Sequence, residues 1–143
     1  MRFIALAAIA LCTLPAPLFA PVFAQAAKPT KPSTVTAPMP APDDRARQWL
    51  TLVDDGNYSQ AFAEAAPGLR KGSSADAWGA RIAAMRAPLG AMARRDLKAV
   101  DLTRAHMAVV RYDSAFAHKA AAVETVTLSF ADGGWSVAGY RVQ

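Results

Sequence analysis

Residues 122–142 read AVETVTLSFADGGWSVAGYRV, and this stretch decides the fold. Val126, Leu128 and Phe130 alternate with Thr125, Thr127 and Ser129, the two-residue period of a strand with one buried face. Asp132-Gly133 is a two-residue turn sequence that accepts positive φ at both central positions. Trp135 to Val142 then returns as the partner strand. With Asp132-Gly133 as the loop, Phe130 faces Trp135, Leu128 faces Val137, Val126 faces Gly139 and Glu124 faces Arg141. Directly opposed residues share a face, so Phe130, Trp135, Leu128 and Val137 are buried together. A one-residue slip, pairing Phe130 with Ser136, would split that set. The same register puts Glu124 on the apolar face, where an unpaired carboxylate is costly, and supplies Arg141 as its partner. Glu124 and Arg141 are therefore expected to form an ion pair at the end of the sheet, with a ligand-binding acid as the alternative.

Upstream, His106 to Phe116 reads as another strand, with Ala108, Val110, Tyr112 and Phe116 in phase and His106 on the same face. Met92 to Leu102 is a further strand with weaker alternation. Before Gly90 the period becomes helical. Asp43 or Asp44 can cap a helix to about Asp55, with Ala46, Trp49, Leu50 and Val53 on one face and Gly56 closing it. Asn57 and Gln60 stand at capping-box spacing for a second helix, stopped by Pro67-Gly68. Ser73 or Ser74 starts a third, with Trp78, Ile82, Met85 and Leu89 as its stripe, and Pro88 ends it. The expected fold is α+β: three N-terminal helices packed on one face of a four-stranded antiparallel sheet. Trp49, Trp78, Tyr112, Trp135 and Tyr140 belong to the expected core.

This domain spans residues 43–143. Residues 25–42 are proline-rich and carry almost no large apolar side chain, so they read as a disordered spacer. Residues 1–24 begin with Arg2, continue through an apolar run from Phe3 to Leu14 and end in small residues, the pattern of a secretory signal peptide. Pro15, Pro17 and Pro21 break the run, against an uncleaved membrane span. Export to the periplasm or beyond follows. Mass spectrometry of the protein from its host is expected to find a chain starting near Gln25 or Ala27, and one still starting at Met1 would overturn cleavage. The single cysteine, Cys12, lies inside the signal, so the mature chain can form neither disulfides nor thiolate metal sites.

Without Arg2 the chain carries 15 basic and 11 acidic side chains, a net +4. Arg86, Arg94, Arg95 and Lys98 make a candidate basic patch, read as a solvated face with some attraction to anionic envelope surfaces. With no aromatic residues interleaved, it lacks the signature of nucleic-acid binding. Catalytic patterns are missing as well. His106 and His118 have no second ligand at metal spacing, no nucleophile elbow or phosphate loop is present, and no cofactor is implied. Asp54 and Asp55 are neighbours on a helix end and point about 100° apart, so one reads as a solvent residue and the other as a turn hydrogen bonder.

Several short runs together carry a resemblance: Trp49, DDGNY at 54–58, RAPLG at 86–90 with Arg95 following, Phe116 with Lys119, ETVTL at 124–128 and GWSVAGY at 134–140. The chain resembles the bacterial family catalogued as domain of unknown function 4019, which implies an exported domain without an assigned activity. It departs from the family in a shorter turn at 101–106, lacking the usual Pro-Gly sequence, and in having Arg94 where a serine usually precedes the motif arginine. Its layout is also similar to the cystatin-like or NTF2-like cone, in which helices cover a curved sheet. The expected function is a non-catalytic envelope module binding a protein or an envelope polymer. The alternative is a small-molecule binder using a cone-shaped pocket between helices and sheet, and an enzyme comes third.

Overall fold

The computed structural model describes residues 40–143, so the expected signal peptide and nearly all of the expected spacer lie outside the described residues. Helix α1 runs over Pro42–Asp54. It begins earlier than expected, with proline in its first turn, where a missing N–H costs nothing. Asp43 and Asp44 are not its caps; they occupy that first turn, and Ala41 is the N-cap. There the carboxylates face the positive end of the helix dipole. At the other end Gly56 adopts φ +75°. Its N–H bonds Val53 O at 3.2 Å while Asn57 N–H bonds Leu52 O at 2.8 Å, the paired closure that a left-handed residue permits.

Helix α2 is short, Tyr58–Ala63, and Asn57 makes no side-chain cap; Gln60 instead donates to Glu64 at 2.9 Å. Pro67 does not simply stop the chain. It opens a one-turn helix α3, Pro67–Arg70, because proline suits a helix start as well as it prevents a continuation. Helix α4, Ala75–Arg86, is capped by Ser74, whose hydroxyl accepts from Ala77 N–H at 3.2 Å. A 3₁₀ turn over Ala87–Leu89 follows.

Four strands complete the fold: β1 Met92–Arg104, β2 Met107–Phe116, β3 Lys119–Ala131 and β4 Gly134–Val142. They form one antiparallel sheet in chain order, the meander expected of consecutive hairpins. Asp132 and Gly133 both have positive φ, 52° and 79°, and Phe130 faces Trp135 as their turn requires. His106 is not in a strand. It sits in the β1–β2 turn with φ 62° and stacks on Phe130, ring centroids 6.3 Å apart.

The register beyond Val137 departs from expectation. Leu128 faces Val137, but Thr127 faces Gly139, so Ala138 is an extra residue in β4. Such a bulge inverts the facing of everything after it. Val126 therefore meets Tyr140, Thr125 meets Arg141 and Glu124 meets Val142. The expected Glu124–Arg141 pair does not form. Strand β1 carries three comparable shifts against β2, which twist and curve an edge strand.

All the helices lie on one side. Ala46, Trp49, Leu50 and Val53 of α1 and Trp78 and Ile82 of α4 pack with Val110, Tyr112, Val126, Leu128 and Val137 of the sheet in one cluster. Trp49 is fully buried, its indole N–H on Ala61 O at 2.8 Å, and its ring meets Trp78 and Tyr140 edge-on. Trp135 is tied to the chain entering the domain, donating to Pro40 O at 2.8 Å. No helix among the described residues is long and apolar enough to cross a membrane.

Candidate functional site

Glu124 is fully buried, on the helix-facing side as its parity requires. The cluster around it draws on five other elements at once. Asp54 is the last residue of α1 and Arg86 the last of α4, while Arg95, Ser114 and Tyr140 project from β1, β2 and β4. Arg95 grips Glu124 side-on, Nε to Oε2 at 2.6 Å and Nη2 to Oε1 at 3.2 Å. Its other edge holds Asp54, Nη1 to Oδ2 at 2.7 Å and Nη2 to Oδ1 at 3.1 Å. Arg86 bridges the same two acids through Nη1 to Glu124 Oε1 at 3.1 Å and Nη2 to Asp54 Oδ1 at 2.5 Å, and its guanidinium lies over the Phe116 ring at 5.0 Å. Tyr140 donates to Glu124 Oε1 at 2.6 Å and accepts from Arg86 Nη1 at 2.8 Å. Ser114 donates to Glu124 Oε2 at 2.7 Å.

Two guanidinium groups and two carboxylates sum to zero, which makes the burial of Glu124 and Arg86 tolerable, with Arg95 part-buried and Asp54 at the solvent edge. Asp54 at a helix C-terminus opposes the dipole there, and both arginines offset that. Glu124 accepts from five donor atoms, more than its lone pairs can bind singly. No buried side-chain polar atom among the described residues lacks a partner.

Burial alone would raise the Glu124 pKa. The hydrogen bonds from Arg95, Tyr140 and Ser114, with the Arg95 charge, outweigh it and hold the carboxyl below its ordinary range. Burial and the Glu124 charge together push the Tyr140 hydroxyl well above the ordinary tyrosine range, and burial takes Tyr112 to about 12. Neither the acid nor the phenols are poised to exchange protons near neutral pH. The stabilisation from Glu124 is therefore fully present above its ordinary pKa of 4.5 and lost as pH falls through the lower folded value. We expect the gap in thermal midpoint between the wild type and Glu124→Gln to shrink steadily as pH is taken below that point. A constant gap down to pH of about 2 would contradict an ionised, paired Glu124.

The expected basic patch divides. Arg86 and Arg95 turn inward to this cluster, whereas Arg94 pairs with Asp96 at 2.9 Å and Lys98 with Asp113 at 2.8 Å, all four exposed. Arg141 lies on the opposite, open face of the sheet. Asp54, read as a helix-end residue, is the most exposed member of the cluster, its side chain 21% accessible; neither it nor Ser114 was expected there. The signal that could have found them is the demand of Glu124 itself for cationic partners.

These side chains and the aromatic core lie together between helices and sheet. Several grooves open at the surface of the described residues. One, about 320 Å³, runs past Asp54 and Arg86 to Tyr58 and Met92. No group of three or more potential metal ligands occurs among the described residues.

Residues 45–140 match the family described as Protein of unknown function (DUF4019). Among curated proteins none matches the chain. In fold, the chain is similar to a Campylobacter jejuni protein described as a candidate NTF2-like transpeptidase, with a TM-score of 0.52 at 18% identity, covering 68% of this chain and 97% of that one. A Shewanella oneidensis NTF2-like protein of unknown function aligns with a TM-score of 0.43 at 17% identity, over 71% of this chain and 98% of that one. At 18% identity the likeness to the Campylobacter jejuni structure concerns the fold alone, helices on a four-stranded antiparallel sheet of the α+β class.

Proposed function

This chain belongs to the DUF4019 family of proteins of unknown function, and on that premise we propose that it is a non-catalytic module of the bacterial envelope that binds a protein or an envelope polymer. The observation that supports this most is the saturated interior. Where the fold could enclose a ligand, Glu124 already accepts five hydrogen bonds from Arg86, Arg95, Ser114 and Tyr140. A small molecule entering there would have to break charge-assisted contacts and replace each one. The groups usually recruited for acid–base or nucleophilic chemistry stand apart, with His106 and His118 in separate exposed turns. This favours binding at the outer surface, and the secretory pattern at the N-terminus supports an envelope location for that surface.

The test uses the mature chain in two measurements. Native mass spectrometry after purification from the host periplasm is expected to give the protein mass alone, and sedimentation with purified envelope fractions is expected to carry the protein into the pellet. A tightly held small molecule together with no sedimentation would overturn this reading and establish the small-molecule alternative.

A further inference from the structure

The bulge at Ala138 assembles a second feature on the open face of the sheet. Arg111 on β2 stands directly opposite Thr125 on β3, and Thr125 stands directly opposite Arg141 on β4. The three share one face, so two arginines flank one threonine, their Cα atoms two strand spacings or about 9.5 Å apart. An arginine side chain reaches far enough for both guanidinium groups to meet over the threonine. Thr125 is only 7% exposed although it points away from the helices, as expected if the arginine stems lie along it. The next row is Val109, Thr127 and Gly139. Because Gly139 has no side chain, the floor stays low, and the resulting groove of about 420 Å³ is lined by Val109, Arg111, Thr125, Thr127, Gly139 and Arg141 together with Tyr140, whose ring is turned inward to Trp49 and Glu124.

These two arginines differ from their neighbours. Arg94 and Lys98 have carboxylate partners, and Arg86 and Arg95 are consumed by the buried cluster. Asp101, opposite Val109, has an interaction of its own. Among the described residues neither Arg111 nor Arg141 has an ion pair or hydrogen bond, and the hydroxyls of Thr125 and Thr127 are likewise unengaged. Two unpaired forks and two hydroxyls around one groove match the geometry of an oxyanion.

We propose that this row binds a phosphate or carboxylate group carried by an anionic envelope polymer, the oxyanion seating over Thr125 between Arg111 and Arg141. A polymer is favoured over a protein because this face offers none of the large apolar anchors on which protein interfaces depend. The exposed large apolar residues, Leu97, Val100 and Leu102, all belong to β1, and Leu97 and Val100 face Tyr112 and Val110 on the helix side. The identity of the polymer rests on the envelope reading above; the oxyanion site does not.

The experiment titrates the mature chain with inorganic phosphate and then with a linear polyphosphate, following amide shifts by NMR. Shifts are expected to centre on Arg111, Thr125, Thr127 and Arg141. Arg111→Gln or Arg141→Gln is expected to weaken phosphate binding about tenfold or more, the scale of one charge-assisted contact, whereas Arg94→Gln leaves it unchanged. Equal losses in all three variants, or shifts spread over every surface arginine, would overturn the site. The Arg111→Gln/Arg141→Gln double variant is also expected to lose sedimentation with protease-treated envelope. If wild-type sedimentation vanishes on protease treatment, the polymer is the wrong partner; if the double variant still sediments, the envelope reading stands and the oxyanion site falls.

Discussion

Glu124→Gln is expected to cost this domain about 3–5 kcal/mol, the range for removing one partner of a buried charge group. The substitution keeps the shape of the side chain but leaves Arg86 and Arg95 facing Asp54 alone, a buried excess of one positive charge. In a domain of this size that corresponds to a fall of at least about 12 °C in thermal midpoint. A double-mutant cycle with Arg95→Met is expected to show a coupling of about 0.5–3 kcal/mol, because these side chains share two hydrogen bonds. A cycle with Arg141→Met is expected to give a value near zero, since Arg141 is registered with Thr125 on the other face. Comparable coupling in both cycles would mean the register is wrong.

The second large effect is expected at Trp49. It is fully buried, bonded to Ala61 O, and wedged between Trp78 and Tyr140 at centroid distances of 5.9 and 5.6 Å. Trp49→Ala is expected to cost about 3–5 kcal/mol through lost transfer energy and the cavity left behind. Trp49→Phe separates two contributions. It keeps much of the ring packing but leaves a buried carbonyl without its donor, an effect of about 1–3 kcal/mol. Because Tyr140 packs on the indole and also donates to Glu124, Trp49→Ala is further expected to loosen the charge cluster. Chemical denaturation of both variants checks this; equal losses for Ala and Phe would mean that the hydrogen bond, and not the packing, carries the effect.

What could be read from residues alone was whatever local chemistry decides. The turn at Asp132-Gly133, the pairing of Phe130 with Trp135 and the helical stripe through Trp49 and Trp78 all follow from dihedral preference and periodicity. The buried parity of Glu124 was legible too. Its partners were not, because the bulge at Ala138 is one residue in a strand of otherwise ordinary composition, with Gly139 beside it as the only mark. Proximity in sequence groups Arg95 with Arg94 and Lys98, yet a strand sends neighbours to opposite faces. The three shifts in β1 blurred the phase that would have separated them. Asp54 was out of reach for another reason: its partners are 32 and 41 residues away, and nothing near it in the chain points to them.

The irregularity in β4 also bears on how the last strand chooses its alignment. The regular alignment, without the bulge, would set Arg141 against Glu124, a pairing that looks satisfactory in isolation. Inside this fold it would bring a third guanidinium to two carboxylates already matched by Arg86 and Arg95, and it would turn Tyr140 out to solvent. The interior therefore rejects Arg141 on grounds of electroneutrality. Shortening β4 by one residue at Ala138 would not simply tidy the sheet; it would exchange an inside residue for an outside one and leave the core with an uncancelled charge. In this protein the end of the sheet is aligned by a count of charges, where most sheets are aligned by their apolar residues.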